Sequence, residues 1–203
     1  MPNVRTPRAP VRVEVERVKA SRFVADLAPA ANEAMALSVV DAARARWPDA
    51  THHCWAFRLA DGTQRMSDDG EPRDTAGAPI LRHLAGAQLQ DVACVVTRWF
   101  GGTKLGRGGL IRAYGDATAA AIAAASIVTR PVLVEFVVTH PYDLSAAVQG
   151  VLAAHDATVI AADYGVEVVL EVALVAESRD AFTRQLADDT SGRVRAVPRG
   201  GTA

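Results

Sequence analysis

Apolar and polar positions alternate strictly over Val11-Arg-Val-Glu-Val-Glu-Arg-Val18, which predicts a half-buried strand. Ser21 to Leu27 predicts a second strand, and Lys19-Ala20 between them suits a hairpin turn without glycine. Residues 1–12 precede this pair with Pro2, Pro7 and Pro10 and no apolar period, so they read as an extended, solvated lead. Asn32 is placed to cap a helix with Glu33 in its first turn. Met35, Val39, Ala42 and Ala43 fall on one face of that helix, and Trp47-Pro48 ends it. His53 to Leu59 reads as a strand, Asp61-Gly62 as a turn, and Gln64 to Ser67 as the returning strand. A short helix starts at Pro79, is lined by Ile80, Leu81 and Leu84, and stops at Gly86. Asp91 to Trp99 is apolar throughout its middle and predicts a central strand. Leu110 to Ser126 then predicts an alanine-rich core helix facing the sheet through Leu110, Tyr114, Ala117, Ala121 and Ala125.

The pattern changes at Thr129-Arg130-Pro131, which divides the chain into residues 1–130 and 131–203. Val132 to Thr139 predicts a strand, and Leu144, Val148, Val151 and Leu152 predict a helix capped by Asp143. Ala157 to Ala162 and Val166 to Val175 form a hairpin around Tyr164-Gly165. Ser178 opens a helix through Phe182 and Leu186, and Arg193 to Val197 is a last short strand before the polar tail from Pro198 to Ala203. The resulting order, βαββαβ, is the ferredoxin-like pattern, so the fold class is α+β in two domains.

Composition narrows the function classes. The formal net charge of −1 makes any basic surface a local one. No apolar run has the length of a membrane span and the N-terminus lacks a signal-peptide core, so a soluble cytoplasmic protein is expected. Cys54 and Cys94 both fall in strands that read as buried, without a Cys-x-x-Cys pair, as small core residues do in a reducing compartment.

One stretch concentrates unusual chemistry. Arg98 to Gly115 holds Gly101, Gly102, Gly106, Gly108, Gly109 and Gly115, six of the fifteen glycines, with Arg98, Lys104, Arg107 and Arg112 and no acid before its end. A glycine-rich link from strand to helix leaves backbone N–H groups open where the helix dipole favours an anion. It equally serves as a tight connection with solvated cations. It is neither a P-loop nor a dinucleotide fingerprint, since Ile111 stands where a third glycine would be. Trp99 and Phe100 straddle the start of the stretch, and an aromatic facing solvent among cations suits single-stranded RNA.

A second stretch is acidic: Ser67-Asp68-Asp69-Gly70-Glu71-Pro72-Arg73-Asp74. Its carboxylates with His52 and His53 suggest a divalent metal. However, adjacent strand residues point to opposite faces, and Asp-Gly is ordinary turn chemistry, so no metal or other cofactor is expected. The alternative has Asp68, Asp69 and Glu71 pairing with Arg98, Arg107 or Arg112 to hold the glycine stretch in shape. No catalytic residue is assigned: neither cysteine has an obvious base beside it, and His83 reads as a surface residue. His140 and His155 border the second-domain helix without an evident partner.

Four pieces together resemble the YigZ/IMPACT family: Ser21-Arg-Phe-Val24, His52-His-Cys54, Ser67 to Pro72 with Thr75-Ala-Gly77 and Pro79, and Arg98 to Gly115. Asp74, Ala78 and the pair Thr103-Lys104 depart from the family pattern. The resemblance implies an N-terminal α/β sandwich like the second domain of the fifth small-subunit ribosomal protein, followed by a ferredoxin-like domain, a pair also similar to adjacent domains of elongation factor G. It therefore implies a non-enzymatic binding protein in translation or its regulation, with RNA, the ribosome or a translation-regulatory protein as partner and no membrane. The anion-binding or RNA-binding residues would be Arg98, Lys104, Gly106, Arg107, Gly108, Gly109 and Arg112, faced by Ser67, Asp68, Asp69 and Glu71. The competing class is a phosphate-ester hydrolase or phosphotransfer enzyme using the same two loops.

Overall fold

The computed structural model describes residues 3–199; Pro2 of the predicted lead and residues 200–203 of the predicted tail lie outside them. Two compact units are present, Val4–Arg130 and the chain from Pro131 onward.

The first unit is a five-stranded antiparallel sheet in the order β2 (Val11–Val18), β3 (Ser21–Pro29), β6 (Val92–Trp99), β4 (His52–Arg58) and β5 (Gln64–Ser67). Strand β6 is central and buried for seven of its eight residues, as its unbroken apolar run requires. Lys19 and Ala20 both have positive φ, 45° and 65°, the conformation a two-residue hairpin demands of both its residues.

Alternation along the strands gives the sheet two apolar faces. Phe23, Leu27, Cys54, Cys94 and Val96 meet helices α2 (Gly77–Gly86) and α3 (Gly106–Ala124), while Phe57, Ala93 and Val95 meet α1 (Glu33–Arg46). Asn32 caps α1, its side chain accepting from the Met35 N–H at 2.9 Å. The buried face of α1 is Ala36, Val40 and Ala43, one residue round from the expected one, and Met35 is 45% exposed. The small residues let the helix approach the sheet, so the largest apolar side chain is turned out.

Several expectations are corrected. The lead is not solvated: Asn3–Pro7 is strand β1, paired with β7 (Ile127–Pro131), which the sequence reading missed. Val4 and Thr6 are buried, and the Thr6 hydroxyl donates to the Asp91 carbonyl at 2.8 Å. Helix α2 starts at Gly77, two residues before Pro79, because Asp68 supplies acceptors for its first N–H groups. Helix α3 starts at Gly106 and not at Leu110, so Gly106, Gly108 and Gly109 lie in its first turn and Gly115 further along it.

The second unit has the sheet order β11 (Ala196–Pro198), β8 (Leu133–His140), β10 (Val168–Val175) and β9 (Thr158–Tyr164), all antiparallel. With α4 (Ser145–Ala154) after β8 and α5 (Arg179–Asp189) after β10, this is the ferredoxin-like topology. Both helices share one core with the sheet, built on Phe136, Val148, Val151, Phe182 and Leu186. Neither expected cap forms. A single 3-10 turn precedes each helix, Asp143 pairs with Arg193 at 3.0 Å, and Ser178 makes no side-chain cap bond.

Candidate functional site

The acidic loop folds against the face of the sheet that carries α2 and α3. Each of its three carboxylates named above has a different internal partner. Asp68 accepts from backbone: its Oδ2 from the Asp74 N–H at 2.8 Å and its Oδ1 from Ala76 and Gly77 at 3.0 and 2.9 Å. It thus closes the loop and neutralises the positive end of α2 from outside the helix. Asp69 accepts from the His53 N–H at 2.6 Å and pairs with Arg44 of α1 at 3.1 Å. Its own N–H donates to the Ser67 hydroxyl oxygen at 3.2 Å, which accounts for Ser67.

Glu71 is the deepest of the three. Its side chain is 4% exposed and pairs at 2.5 Å with Nη1 of Arg98, whose side chain is 5% exposed. The same Oε1 accepts from the Tyr114 hydroxyl at 2.8 Å, and His52 Nε2 lies 3.9 Å away. Arg98 uses its other end on the Ser21 hydroxyl at 3.1 Å, and the Gly101 N–H donates to that oxygen at 3.2 Å. A buried pair stabilises only if the remaining donors and acceptors are met. Here Tyr114 adds one bond to Glu71 and Ser21 one to Arg98, while Arg98 Nε is buried without a partner among the described residues.

Burial settles the protonation of the neighbouring groups. It pushes the Tyr114 hydroxyl and the Cys54 thiol up from their ordinary values, and the Cys94 thiol up to about 12. Cys54 Sγ lies 3.0 Å from the Asp68 carbonyl and 3.3 Å from the Tyr114 hydroxyl, so its one proton serves either. These thiols are packing residues. Burial lowers the affinity of His53 for a proton, opposed by Asp69. Among the described residues no three His, Cys, Asp or Glu side chains gather to hold a metal ion.

The basic stretch splits in two. Arg98 lies inside the protein with Glu71, whereas Lys104, Arg107 and Arg112 are exposed. Arg107 donates to the Arg73 carbonyl at 3.0 Å, and Lys104 and Arg112 form no ion pair among the described residues. Gly106 has φ +73° and turns the chain into α3, where Gly108 is exposed and Gly109 half-buried. Two glycines of the stretch serve close packing. A Cβ on Gly101 would sit 2.2 Å from the Ala20 carbonyl carbon, and one on Gly115 would sit 2.6 Å from the ring of His83. His83 is therefore wedged between α2 and α3, with Nδ1 2.9 Å from the Pro79 carbonyl, and is not a free surface residue. His155 also has a partner, Gln185, at 3.0 Å.

Of the two aromatics at the start of the stretch, Trp99 is engaged, with its ring edge-on to Trp47 and its Nε1–H donating to Asp49 at 2.9 Å. Phe100 is the one that faces solvent. Sequence reading placed Tyr114 only on the core face of its helix, set His52 beside the acidic loop only as a metal candidate, and gave Ser21 no part in a site. Tyr114 was the one legible signal, because a tyrosine on an alanine helix face needs a partner for its hydroxyl.

A family model of the Impact N-terminal domain matches residues 19–122, just over half of the chain. The chain belongs to the IMPACT family. Residues 138–193 match a second family model, a domain of unknown function, DUF1949. The IMPACT family member YigZ of Escherichia coli is 37% identical over 193 residues, covering 93% of this chain and 94% of that protein. An IMPACT family member of Haemophilus influenzae is 32% identical, covering 88% and 89%. A crystal structure of a hypothetical protein is 34% identical and superposes with a TM-score of 0.73 over 100% of both chains. Glu71, Arg98 and Tyr114 of the buried cluster all lie within the residues that match the Impact N-terminal domain. No helix among the described residues is long and apolar enough to cross a membrane.

Proposed function

We propose that this IMPACT family protein is a non-enzymatic, cytoplasmic binding protein in the regulation of translation, and that it contacts RNA phosphates through Lys104, Arg107 and Arg112. One observation supports this above all: the carboxylates of Asp68, Asp69 and Glu71 are bound internally, while these three cations are exposed just before and within the first two turns of α3 and form no ion pair among the described residues. Exposed cations beside helical N–H groups attract phosphate. Arg98 supports the fold beneath them rather than the ligand. The translational setting rests on the family's likeness to ribosome-contacting folds, an analogy of fold. A hydrolase built on the acidic loop has less support, since Asp68 and Glu71 would have to give up the bonds that hold α2 and Arg98.

The test is titration of a single-stranded RNA 12-mer at several salt concentrations. Binding falls steeply with salt, and Lys104→Ala, Arg107→Ala and Arg112→Ala each lower the log–log salt slope by about 0.7. If all three variants keep the parent's affinity and slope, the cations are not the contact.

A further inference from the structure

Phosphate contacts set affinity but read no base. A preference for unpaired bases needs a group that meets them, and Phe100 lies beside the cations in the chain. Phe100 is 46% exposed, although it follows the central strand of the sheet directly. An exposed phenylalanine next to a core strand is normally free to rotate away or fold under. Here the backbone that carries the ring is held on both sides. Its own N–H donates to the Thr51 hydroxyl at 3.0 Å, and the next N–H, of Gly101, is fixed on Ser21. Gly101 itself is pressed so closely on Ala20 that no side chain fits there.

The ring is also backed by charge. The Arg98 guanidinium carbon lies 5.5 Å from the ring centre of Phe100 and 5.6 Å from that of Phe23. That arginine is anchored by Glu71, so it cannot move off to another partner. A phenylalanine with a fixed cation on one side and water on the other presents an apolar surface at a set orientation. Toward solvent its chain neighbours are Gly102, Thr103 and Lys104, all exposed and free of acids. Phe100 and Lys104 are four residues apart, so their Cα atoms lie within about 14 Å. A short oligonucleotide covers that distance with a base at one end and a phosphate at the other.

Resting on the RNA reading above, we infer that Phe100 is a stacking platform for an unpaired nucleobase, so that the surface selects single-stranded over double-stranded RNA. A duplex hides its base faces in its own stack and can offer this surface only phosphates and sugars. A single strand can place one base on the ring while Lys104, Arg107 and Arg112 hold its backbone.

The full chain is compared with Phe100→Leu and Phe100→Trp in binding a 12-nucleotide RNA without self-complementarity and the duplex of the same length. Phe100→Leu keeps apolar surface but has no ring; it is expected to lose about tenfold in single-strand affinity, with its salt slope unchanged. Phe100→Trp is expected to bind the single strand at least as well as the parent, and duplex binding should not distinguish the three proteins. If the parent binds single strand and duplex equally and Phe100→Leu matches it on both, the stacking inference is overturned while the cation reading stands. If the same pattern comes with a reduced response in Lys104→Ala, only phosphate is read. If the parent binds neither RNA, both readings fall. Loss in both Phe100 variants, with Phe100→Trp no better than Phe100→Leu, marks a shape contact and also overturns the platform.

Discussion

The acidic loop and the basic stretch look alike in sequence: each gathers charges mostly of one sign around glycine. Their fates in the fold are opposite. The three carboxylates at Asp68, Asp69 and Glu71 are all consumed internally, two of them on backbone N–H groups and one on a buried arginine. Of the four cations, only Arg98 is buried, and the other three stay at the surface. The difference follows from where each run sits. The acids face the ends of α1 and α2 and a strand edge, which offer N–H donors and Arg44. Lys104 precedes α3, and Arg107 and Arg112 lie in its first two turns, where the open backbone groups are N–H donors and cannot pair with a cation. A charge cluster therefore stays at the surface only where the fold does not absorb it.

The sharpest way to break this comparison is at Glu71. Glu71→Ala leaves Arg98 charged and buried without its partner, and should cost about 3–5 kcal/mol of stability in urea denaturation. A loss under about 1 kcal/mol would mean that the buried pair does not hold the loop. Asp68 comes next. Asp68→Ala removes the acceptor for three backbone N–H groups and should cost about 1–2 kcal/mol, with Asp68→Asn recovering part of it. An unchanged urea midpoint in Asp68→Ala would show that water replaces the carboxylate freely. The smallest effect belongs to the other region. Lys104→Ala and Arg112→Ala should change stability by no more than about 0.5 kcal/mol, because neither cation is engaged in the fold. Destabilisation beyond about 1 kcal/mol in either variant would place these cations with the acids, as parts of the fold.

Much of the architecture was legible. Strict alternation at Val11–Val18, the apolar run of β6 and the βαββαβ order after Pro131 each follow from side-chain periodicity, although the last strand, expected over Arg193 to Val197, is Ala196–Pro198 and takes in the proline assigned to the tail. What escaped depended on partners distant in sequence. Strand β1 exists because β7 pairs with it, about 120 residues later, and because Asp91 receives the Thr6 hydroxyl. The early start of α2 depends on Asp68, eight and nine residues before the N–H groups that it accepts from. The face of α1 was shifted because packing selected the small residues of the helix over Met35.

The candidate site divides in the same way. Residue types alone determined that a glycine-rich cationic stretch joins a buried strand to a helix, that an acidic turn precedes another helix, and that both cysteines are core residues. Spacing could not tell which acid meets which cation, since Glu71 and Arg98 are twenty-seven residues apart and Tyr114 is forty-three from Glu71. Only the tertiary structure decided that Arg98 turns inward while Lys104, Arg107 and Arg112 stay out, and that Phe100 rather than Trp99 meets water. The physical reason is desolvation. A charge goes inside only where a partner and the hydrogen bonds around it are already in place, and long-range packing assembles that environment.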